Sequence, residues 1–498
     1  MAYPLPIRAA VMVATLRSLS RRYITATSWA FAVRIVFGVA SAVSRQGLSV
    51  LMLLLATRYF SPDTFGEYAV AWAITTIIFT LVHTGIHEFI LRSEEPAVID
   101  TCFWLNTGIG VAGAVLIGAF ALLLRSTTGL HGAASLLLVF SPISILTGSV
   151  AWAGALLLRN GRTNAYNLIL AAGEVISFAA TVVLLEYGGG IVSLAIWRLI
   201  GSIVTAICML RVAGRRPALT FDRAIAHRAL VGSLSLYGGR GVQMLTAYGS
   251  DLLLAHFISP ASAAIFRVGS RVANGVGDII CMPLMTIAWA RISNDHRAGR
   301  GAKVAFLQLS RYLTLVAWPV LGSLAICSDL AVRVVLGPEW QSAAPVIALA
   351  AISKMLLALD VVLEPALICT GRSRQQLSIR LTHSLILMVL LAVVCRLGPE
   401  AAAAAHLAAA IVLVGLSLSA LTSALDLRAK EIIVSLAGGW AALLLCVLGS
   451  VGGKSLAAYW GAAGLAQGIA ATGAALLVWM VVLAAILLNQ RKPIAADA

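Results

Sequence analysis

The sequence predicts an all-α polytopic membrane protein of about fourteen transmembrane helices, arranged as two related six-helix lobes plus two extra C-terminal helices. Three observations predict this. The chain is 60% hydrophobic and only 11% charged, whereas soluble domains carry about 25% charged residues. Its apolar residues form repeated runs of about 20 residues, the length that crosses roughly 30 Å of bilayer hydrocarbon. Two short sequence patterns also recur about six helices apart.

Hydropathy places the spans, in chain order, at 28–56, 67–91, 102–124, 133–158, 166–186, 191–210, 229–258, 263–290, 304–327, 345–369, 378–395, 400–424, 431–449 and 463–488. The predicted division of the chain is a cytoplasmic N-terminal segment (1–27), an N-lobe with helices 1–6 (28–213), a cytoplasmic linker (214–228), a C-lobe with helices 7–12 (229–424), and helices 13 and 14 with a cytoplasmic tail (425–498).

The two lobes are predicted from the recurring patterns. The apolar run at 54–62 ends in Ser61-Pro62, and the run at 253–260 ends in Ser259-Pro260. A second pair follows the fourth and tenth spans, where the chain reads Gly-Arg-Thr at 161–163 and Gly-Arg-Ser at 371–373. Two repeated halves of six helices are typical of transporters, which bind their substrate between the halves.

The charge distribution predicts the orientation. Of the 36 Lys and Arg residues, 23 fall in the termini and in loops on one side of the predicted membrane, 5 on the other side, and 8 within helices. Because cytoplasmic loops carry the excess of basic residues, both termini are predicted to be cytoplasmic. The net charge of +16 is therefore explained by topology, and no nucleic-acid partner is predicted.

Several charged residues lie far from any predicted membrane surface, where each costs at least about 2.5–3.5 kcal/mol unless it faces a wet cavity or a partner. Arg45 is near the middle of the first helix, and Arg240 and Asp251 are eleven residues apart on the seventh. The eighth helix carries a polar stripe about 60° wide, formed by Arg267, Arg271, Asn274 and Asp278. This stripe predicts a cavity wall; the alternative is a bridge from Arg271 to Asp278 or to a neighbouring helix.

Carboxylates within the spans are candidates for coupling to a proton or sodium ion, because a carboxylate pair in a low dielectric raises one pKa. Asp360 and Glu364 lie one turn apart in the tenth helix, with Lys354 nearby in sequence. The alternative is a Lys-Asp-Glu cluster that is satisfied internally. Asp251 and Asp278 are the other candidates for ion coupling.

Other patterns exclude several classes of chemistry. The GxGxxG match at 108–113 lies within a predicted membrane helix rather than after a strand, so it does not predict a nucleotide site. The seven cysteines lack metal-ligand spacing and predict buried thiols. His83, His87 and Glu88 do not have the order of a zinc protease motif. We expect no cofactor, no metal and, because the loops are short, no enzyme activity.

The turn at 58–68, which reads R-Y-F-S-P-D-T-F-G-E-Y, resembles the turn between the first two helices of polysaccharide-repeat flippases, members of the multidrug/oligosaccharidyl-lipid/polysaccharide exporter superfamily. The stretch L-G-P-E-W at 336–340 with A-A-P at 343–345, and Gly371-Arg372, resemble further motifs of that family. The resemblance covers roughly 30–425. The second-half turn departs from the pattern at 259–266, where the family usually has Gly-x-Tyr.

The resemblance implies alternating access between two lobes and a substrate of oligosaccharide linked to a polyprenyl diphosphate, moved from the inner to the outer leaflet of a bacterial inner membrane for cell-surface polysaccharide synthesis. It allows a polymerase or export complex as a partner. A cavity rich in arginine suits a diphosphate, because guanidinium groups bind phosphate oxygens in a bidentate manner. We predict that this cavity is lined by Arg45, Arg240, Arg267, Arg271 and Asn274.

Two other functions stay open at this point. One is a multidrug or cation exporter of the same superfamily, which would use the carboxylates. The other is a membrane polysaccharide polymerase or ligase. The role of the two extra helices is predicted only by analogy with the lipid II flippase branch, where such helices help form a groove for lipid.

Overall fold

The computed structural model of the chain describes residues 26–489 apart from 84, 94, 128–129, 299–300 and 463–464. The side chains of 26–37, 39, 40, 42, 81–83, 234–238, 465 and 482–489 also lie outside the description. The predicted N-terminal segment and most of the tail therefore fall outside the described residues, as do the side chains of Arg34 and His83.

The described part of the chain contains helices and no strand. The N-terminal half consists of α1 (Ala26–Tyr59), α2 (Pro62–His83), the short α3 (Ile86–Arg92), α4 (Pro96–Thr127), α5 (His131–Arg159), α6 (Thr163–Glu186) and α7 (Val192–Ala213).

The C-terminal half consists of α8 (Arg223–Phe257), α9 (Pro260–Arg297), α10 (Lys303–Ile326), the short α11 (Ser328–Ala331), a π turn (Val332–Leu336), a 3-10 segment (Pro338–Ala343), α12 (Ala344–Leu357), α13 (Asp360–Cys369), α14 (Ser373–Val394), a second 3-10 segment (Cys395–Leu397) and α15 (Pro399–Leu425). The chain continues as α16 (Ala429–Tyr459) and α17 (Leu465–Asn489).

The all-helical membrane fold is confirmed. By length and composition, ten helical segments among the described residues can cross a membrane, and α1, α2, α8 and α17 coincide with the other predicted spans. The number fourteen stays a prediction. Most helices extend a few residues beyond the predicted spans, because hydropathy reports the part in hydrocarbon and helices continue into the polar interface.

Two predicted spans are broken helices. The predicted second span divides into α2 and α3 near Gly85, which has a positive φ of 84° that favours glycine. The predicted tenth span divides into α12 and α13 at a turn over 358–359. Hydropathy missed both breaks because each is short and lies between apolar runs that together read as one span.

The helices pack as two lobes. In the N-lobe, α5 contacts α2, α4 and α7, and α6 packs between α1 and α7; in the C-lobe, α15 contacts α12 and α14, and α9 packs on α10 and α12. The lobes meet where α1 and α2 contact α8 and α9. Outside them, α16 packs on α10, and α17 packs on α16.

The repeated Ser-Pro turns form equivalent helix starts. Ser259 caps α9, its Oγ accepting from the backbone N–H of Ser262 at 3.2 Å, and Pro260 follows at the first helical position. Ser61 stands in the same place before α2. The two starts touch, because a Cβ on Gly66 would collide with the carbonyl of Pro260. We call this end of the bundle the Ser-Pro end.

The repeated Gly-Arg turns are also equivalent. Gly161 and Gly371 end their helices with φ of 69° and 81°, the left-handed conformation that glycine adopts without strain. The guanidinium of Arg162 donates to the carbonyl of Val212 at 3.1 Å, at the end of α7. Arg372 donates to the carbonyls of Ala420 at 3.1 Å and Ser423 at 3.3 Å, at the end of α15. In each lobe, the arginine after the glycine turn thus donates hydrogen bonds to carbonyls at the end of the lobe's last helix, α7 or α15.

A core shared by both lobes closes the Ser-Pro end. Trp340, from the 3-10 segment of the C-terminal half, is fully buried within the N-lobe core. Its indole N–H donates to the carbonyl of Thr57 at 3.0 Å, and its ring packs edge-on against Phe65 with centroids 5.7 Å apart. Arg58 also donates to the carbonyl of Val334. The two lobes are therefore joined across this end.

We expect Arg372→Gln to destabilise the fold by about 1–2 kcal/mol, because it removes a charged donor from the carbonyls at the end of α15. The measurement is the midpoint of thermal unfolding of the purified protein in lipid nanodiscs. The matched control is Arg374→Gln, since Arg374 is exposed two residues away. An equal loss in both variants would show that the capping contact does not stabilise the lobe.

Candidate functional site

A polar cavity of about 370 Å³ lies between the lobes. We call it the central cavity. Helices α1, α2, α6 and α7 of the N-lobe and α8 and α9 of the C-lobe form its walls. Its lining residues are Arg45, Gln46, Ser49, Trp72, Thr76, Phe79, Glu174, Arg198, Tyr248, Arg271 and Met282.

The central cavity continues into each lobe. An N-lobe cavity of about 300 Å³ shares Arg45, Trp72 and Arg198 with it. A C-lobe cavity of about 230 Å³ shares Tyr248 and Arg271. Because these residues form common walls, the polar space extends from the interface into both lobes.

Arg45 and Arg271 face the central cavity from opposite lobes. Arg45 comes from α1 and Arg271 from α9, and one guanidinium nitrogen of Arg271 lies 3.5 Å from Ser49 Oγ. Within the described part of the chain, neither residue has a carboxylate oxygen within 4.0 Å. The Nε atom of Arg45 is buried and has no hydrogen-bond partner there. These two predicted site residues are therefore cations without a neutralising partner.

Arg198 is a cavity residue that sequence reasoning missed. It lies near a predicted span end, where an arginine can extend to the membrane surface. In the structure its guanidinium instead stacks on Trp197 and Trp72, at 3.8 and 4.7 Å from the ring centroids. Its Nη1 atom lies 3.7 Å from Glu174 Oε1. The sequence feature that could have indicated a buried partner for Arg198 is Glu174, an acidic residue within the apolar run that forms α6.

Arg267 and Asp251 form a buried ion pair between α9 and α8. Asp251 is 1% exposed, and the Arg267 guanidinium also lies 4.6 Å from the ring centroid of Tyr248. Both ion-pair residues line the C-lobe cavity, together with Asn274. Arg240 is not brought to this cavity: it is exposed and donates to Gln243 at 3.1 Å on its own helix.

Asp278 contacts a residue that the sequence did not pair with it. Lys354 Nζ lies 2.6 Å from Asp278 Oδ1, and Gln46 Nε2 from the N-lobe donates to Oδ2 at 3.4 Å. The alternative bridge from Arg271 to Asp278 is therefore not formed. Gly277 permits the observed pair, because a Cβ there would collide with the side chain of Lys354.

Asp360 and Glu364 both accept from Arg380, which lies on α14. The Glu364 contact is 2.6 Å. In the alternative of an internally satisfied cluster, the cation in direct contact is Arg380, whereas Lys354 pairs with Asp278. The hydropathy prediction places Arg380 in a cytoplasmic loop. In the structure, α14 begins at Ser373, so Arg380 lies two turns into the helix and contacts α13.

Among the described residues, no group of three or more His, Cys, Asp or Glu side chains could hold a metal. The seven cysteines are free thiols, five of them buried.

A separate cavity, of about 520 Å³, is almost wholly apolar. It lies between α9, α10, the segment after α10, α16 and α17. We call it the apolar groove. Representative lining residues are Val276, Leu324, Leu330, Cys446, Leu476 and Trp479. The two helices outside the repeat thus supply one wall of a groove suited to hydrocarbon.

Comparisons with known proteins place these features in context. A profile described as "Polysaccharide biosynthesis protein" matches residues 54–345, more than half of the chain. The chain is 23% identical over 328 residues to the succinoglycan biosynthesis transport protein ExoT of Rhizobium meliloti (strain 1021), covering 64% of this chain. It is 24% identical over 319 residues to the lipopolysaccharide biosynthesis protein WzxC of Escherichia coli (strain K12), covering 62% of this chain. The matches span 65% and 64% of those relatives, slightly under two thirds.

Among solved structures, the fold resembles the lipid II flippase MurJ in an inward closed conformation. The TM-score is 0.75 at 14% identity, and the match covers 92% of this chain and 99% of that one. This similarity establishes the two-lobed fold.

We expect Lys354→Met to destabilise the protein by about 1–3 kcal/mol, because it leaves the partly buried carboxylate of Asp278 without a cation. Adding Asp278→Asn should recover most of the loss, since the charge is then gone. Thermal unfolding in nanodiscs measures both. Lys303→Met, at a more exposed pair with Glu431, is the control and should change stability by less than about 1 kcal/mol. If the double variant unfolds at the same temperature as Lys354→Met, Lys354 does not stabilise the protein by pairing with the charge of Asp278.

Proposed function

The chain belongs to the polysaccharide biosynthesis protein family, as its turn motifs indicated, and we propose that it is a flippase for an oligosaccharide linked to polyprenyl diphosphate. The substrate would move from the cytoplasmic to the periplasmic leaflet by alternating access around the central cavity. Two observations support the proposal. The names of two relatives concern succinoglycan transport and lipopolysaccharide biosynthesis, and the central cavity has the charge that a diphosphate requires.

The observation that carries the proposal is the pair of cations without carboxylate partners, Arg45 and Arg271, facing one cavity from opposite lobes. A diphosphate diester bears two negative charges, and each guanidinium can bind phosphate oxygens through two parallel hydrogen bonds. An unpaired cation within the membrane is costly. A bound diphosphate offsets that cost and also joins the two lobes.

The contacts between the lobes support alternating access. A diphosphate held by Arg45 and Arg271 touches both bodies, so their relative movement changes which side of the membrane it faces. The Ser-Pro end is closed by the core around Trp340. Release of the substrate at that end requires this core to separate, and we propose that the Ser-Pro end is periplasmic.

The apolar groove accounts for the lipid part of the substrate. A polyprenyl chain is hydrocarbon, and burying it gains about 0.8 kcal/mol per CH₂ group. The groove offers almost no polar surface and is built partly from α16 and α17. We propose that these helices hold the lipid chain while the sugar passes between the lobes.

The four carboxylates predicted to couple an ion each contact a basic side chain. Asp251 pairs with Arg267, Asp278 with Lys354, and both Asp360 and Glu364 with Arg380. We propose that these pairs neutralise cations which the membrane would otherwise destabilise. A role in ion coupling stays a prediction, as do the substrate contacts of Arg240, Arg267 and Asn274.

The proposed setting is a bacterial inner membrane with both termini in the cytoplasm, as the distribution of basic residues predicts. The proposed role is transport and not catalysis, with a polysaccharide polymerase or export complex as a partner. A drug or cation exporter would need a negatively charged site, whereas the unpaired charges of the central cavity are positive.

A strain lacking the protein tests the function. We expect polyprenyl-diphosphate sugars to accumulate and to be protected from an external glycosidase in spheroplasts, because flipping is the missing step. Expression of the wild-type protein should make the lipid-linked sugars accessible to the glycosidase again. Unchanged amounts, or accumulated sugars that the glycosidase reaches, would contradict a flippase role.

We expect Arg45→Gln and Arg271→Gln each to reduce flipping about ten- to a hundredfold, because each removes a charge-assisted contact to the diphosphate. Lysine at either position should retain part of the activity. The measurement is the rate at which a lipid-linked sugar becomes accessible in proteoliposomes. The control is Arg125→Gln, an exposed residue at the end of α4. Wild-type rates in an Arg45→Gln/Arg271→Gln double variant that inserts normally would contradict the site.

A further inference from the structure

We propose that the N-lobe cavity is a binding subsite for a neutral sugar, the one attached to the diphosphate. The inference rests on the proposed flippase function and goes beyond it by assigning the part of the substrate that each lobe binds. The cavity shares Arg45 with the central cavity. A sugar in it would therefore lie next to a diphosphate held at Arg45.

The cavity contains buried donors without partners. Trp197 is 3% exposed, and its indole N–H has no hydrogen-bond partner within the described chain. The same holds for the Nε of Arg198 and, in the adjoining central cavity, for the hydroxyl of Thr76, which is 6% exposed. An unsatisfied buried donor costs about 1–3 kcal/mol. Several together indicate a site whose partners arrive with a ligand rich in acceptor oxygens.

The other lining groups suit a sugar ring. Glu174 and Arg198 lie 3.7 Å apart, so an acceptor and a donor are placed side by side for adjacent hydroxyl groups. Trp72 and Phe79 provide apolar surface for the C–H groups of the ring. This combination of a few placed polar groups on an aromatic wall is typical of small-molecule sites.

Charge and size define the ligand further. The charges of Arg198 and Glu174 cancel, and Arg45 is neutralised by the diphosphate, so the occupied cavity has no net charge left for an acidic sugar. Its volume of about 300 Å³ is at the lower end of small-molecule pockets. The cavity thus fits one or two neutral sugars rather than a whole repeat unit.

The test compares the affinity of the purified full-length protein in nanodiscs for the methyl diester of farnesyl diphosphate and for the glucosyl, galactosyl and glucuronosyl diesters, so that every diphosphate carries the same charge. The quantity measured is the gain in affinity that the sugar adds. We expect a gain for at least one neutral hexose and none for glucuronic acid. Trp197→Phe removes the N–H and leaves a smaller aromatic ring for Arg198 to stack on. It should cut the hexose gain about fivefold without lowering the affinity for the methyl diester, and the loss of thermal stability that a smaller buried ring causes is measured alongside.

Glu174→Gln should reduce the hexose gain and create a gain for glucuronic acid, because Arg198 then loses its carboxylate. Trp440→Phe, on α16 and outside all three polar cavities, is the matched control and should leave every affinity unchanged. If the methyl diester binds but no hexose adds affinity, or if the gain survives in both cavity variants, the sugar subsite is wrong and the proposed function stands. Failure of all four probes to bind the wild-type protein would overturn the proposed function itself.

Discussion

The positive charge held between the lobes is the constraint on which the rest of the structure depends. A bilayer tolerates a cation only beside water, a carboxylate or a ligand anion. The described structure meets this condition for Arg198, Arg267, Lys354 and Arg380 with nearby carboxylates, and it leaves Arg45 and Arg271 facing a shared cavity. An anionic ligand between the lobes would meet the same condition for these two arginines.

Much of the fold could be predicted from the sequence, because the bilayer imposes a length and a polarity on every span. The cavity was only partly predictable. Arg45, Arg267 and Arg271 stood out as charges in apolar helices, but their partners depend on how each helix is rotated against its neighbours. The pair Arg267–Asp251 and the contact of Lys354 with Asp278 join different helices, and spacing within one helix contains no information about such contacts. The contact of Arg198 with Trp72 could not be predicted for the same reason, because these residues lie on different helices.

The repeat in the sequence describes the scaffold and not the site. The Ser-Pro starts and Gly-Arg ends are equivalent in the two lobes and lie at helix termini, where they satisfy backbone groups. The cavity residues are not repeated: the N-lobe presents Trp72 and Trp197, whereas the C-lobe presents Asp251 and Arg267. A symmetric frame thus holds an asymmetric surface, as an asymmetric substrate with a lipid end and a sugar end requires.

The position of Trp340 has a consequence for how the chain is assembled as it is made. This ring completes the core of the N-lobe, yet it follows its hydrogen-bond partner Thr57 by 283 residues. During synthesis the first six helices enter the membrane long before Trp340 leaves the ribosome. Until then, the surface around Phe65 lacks its packing partner. The N-lobe can therefore reach its final packing only after the first three long helices of the C-lobe have been made, so the two halves mature together even though each repeats the other's design.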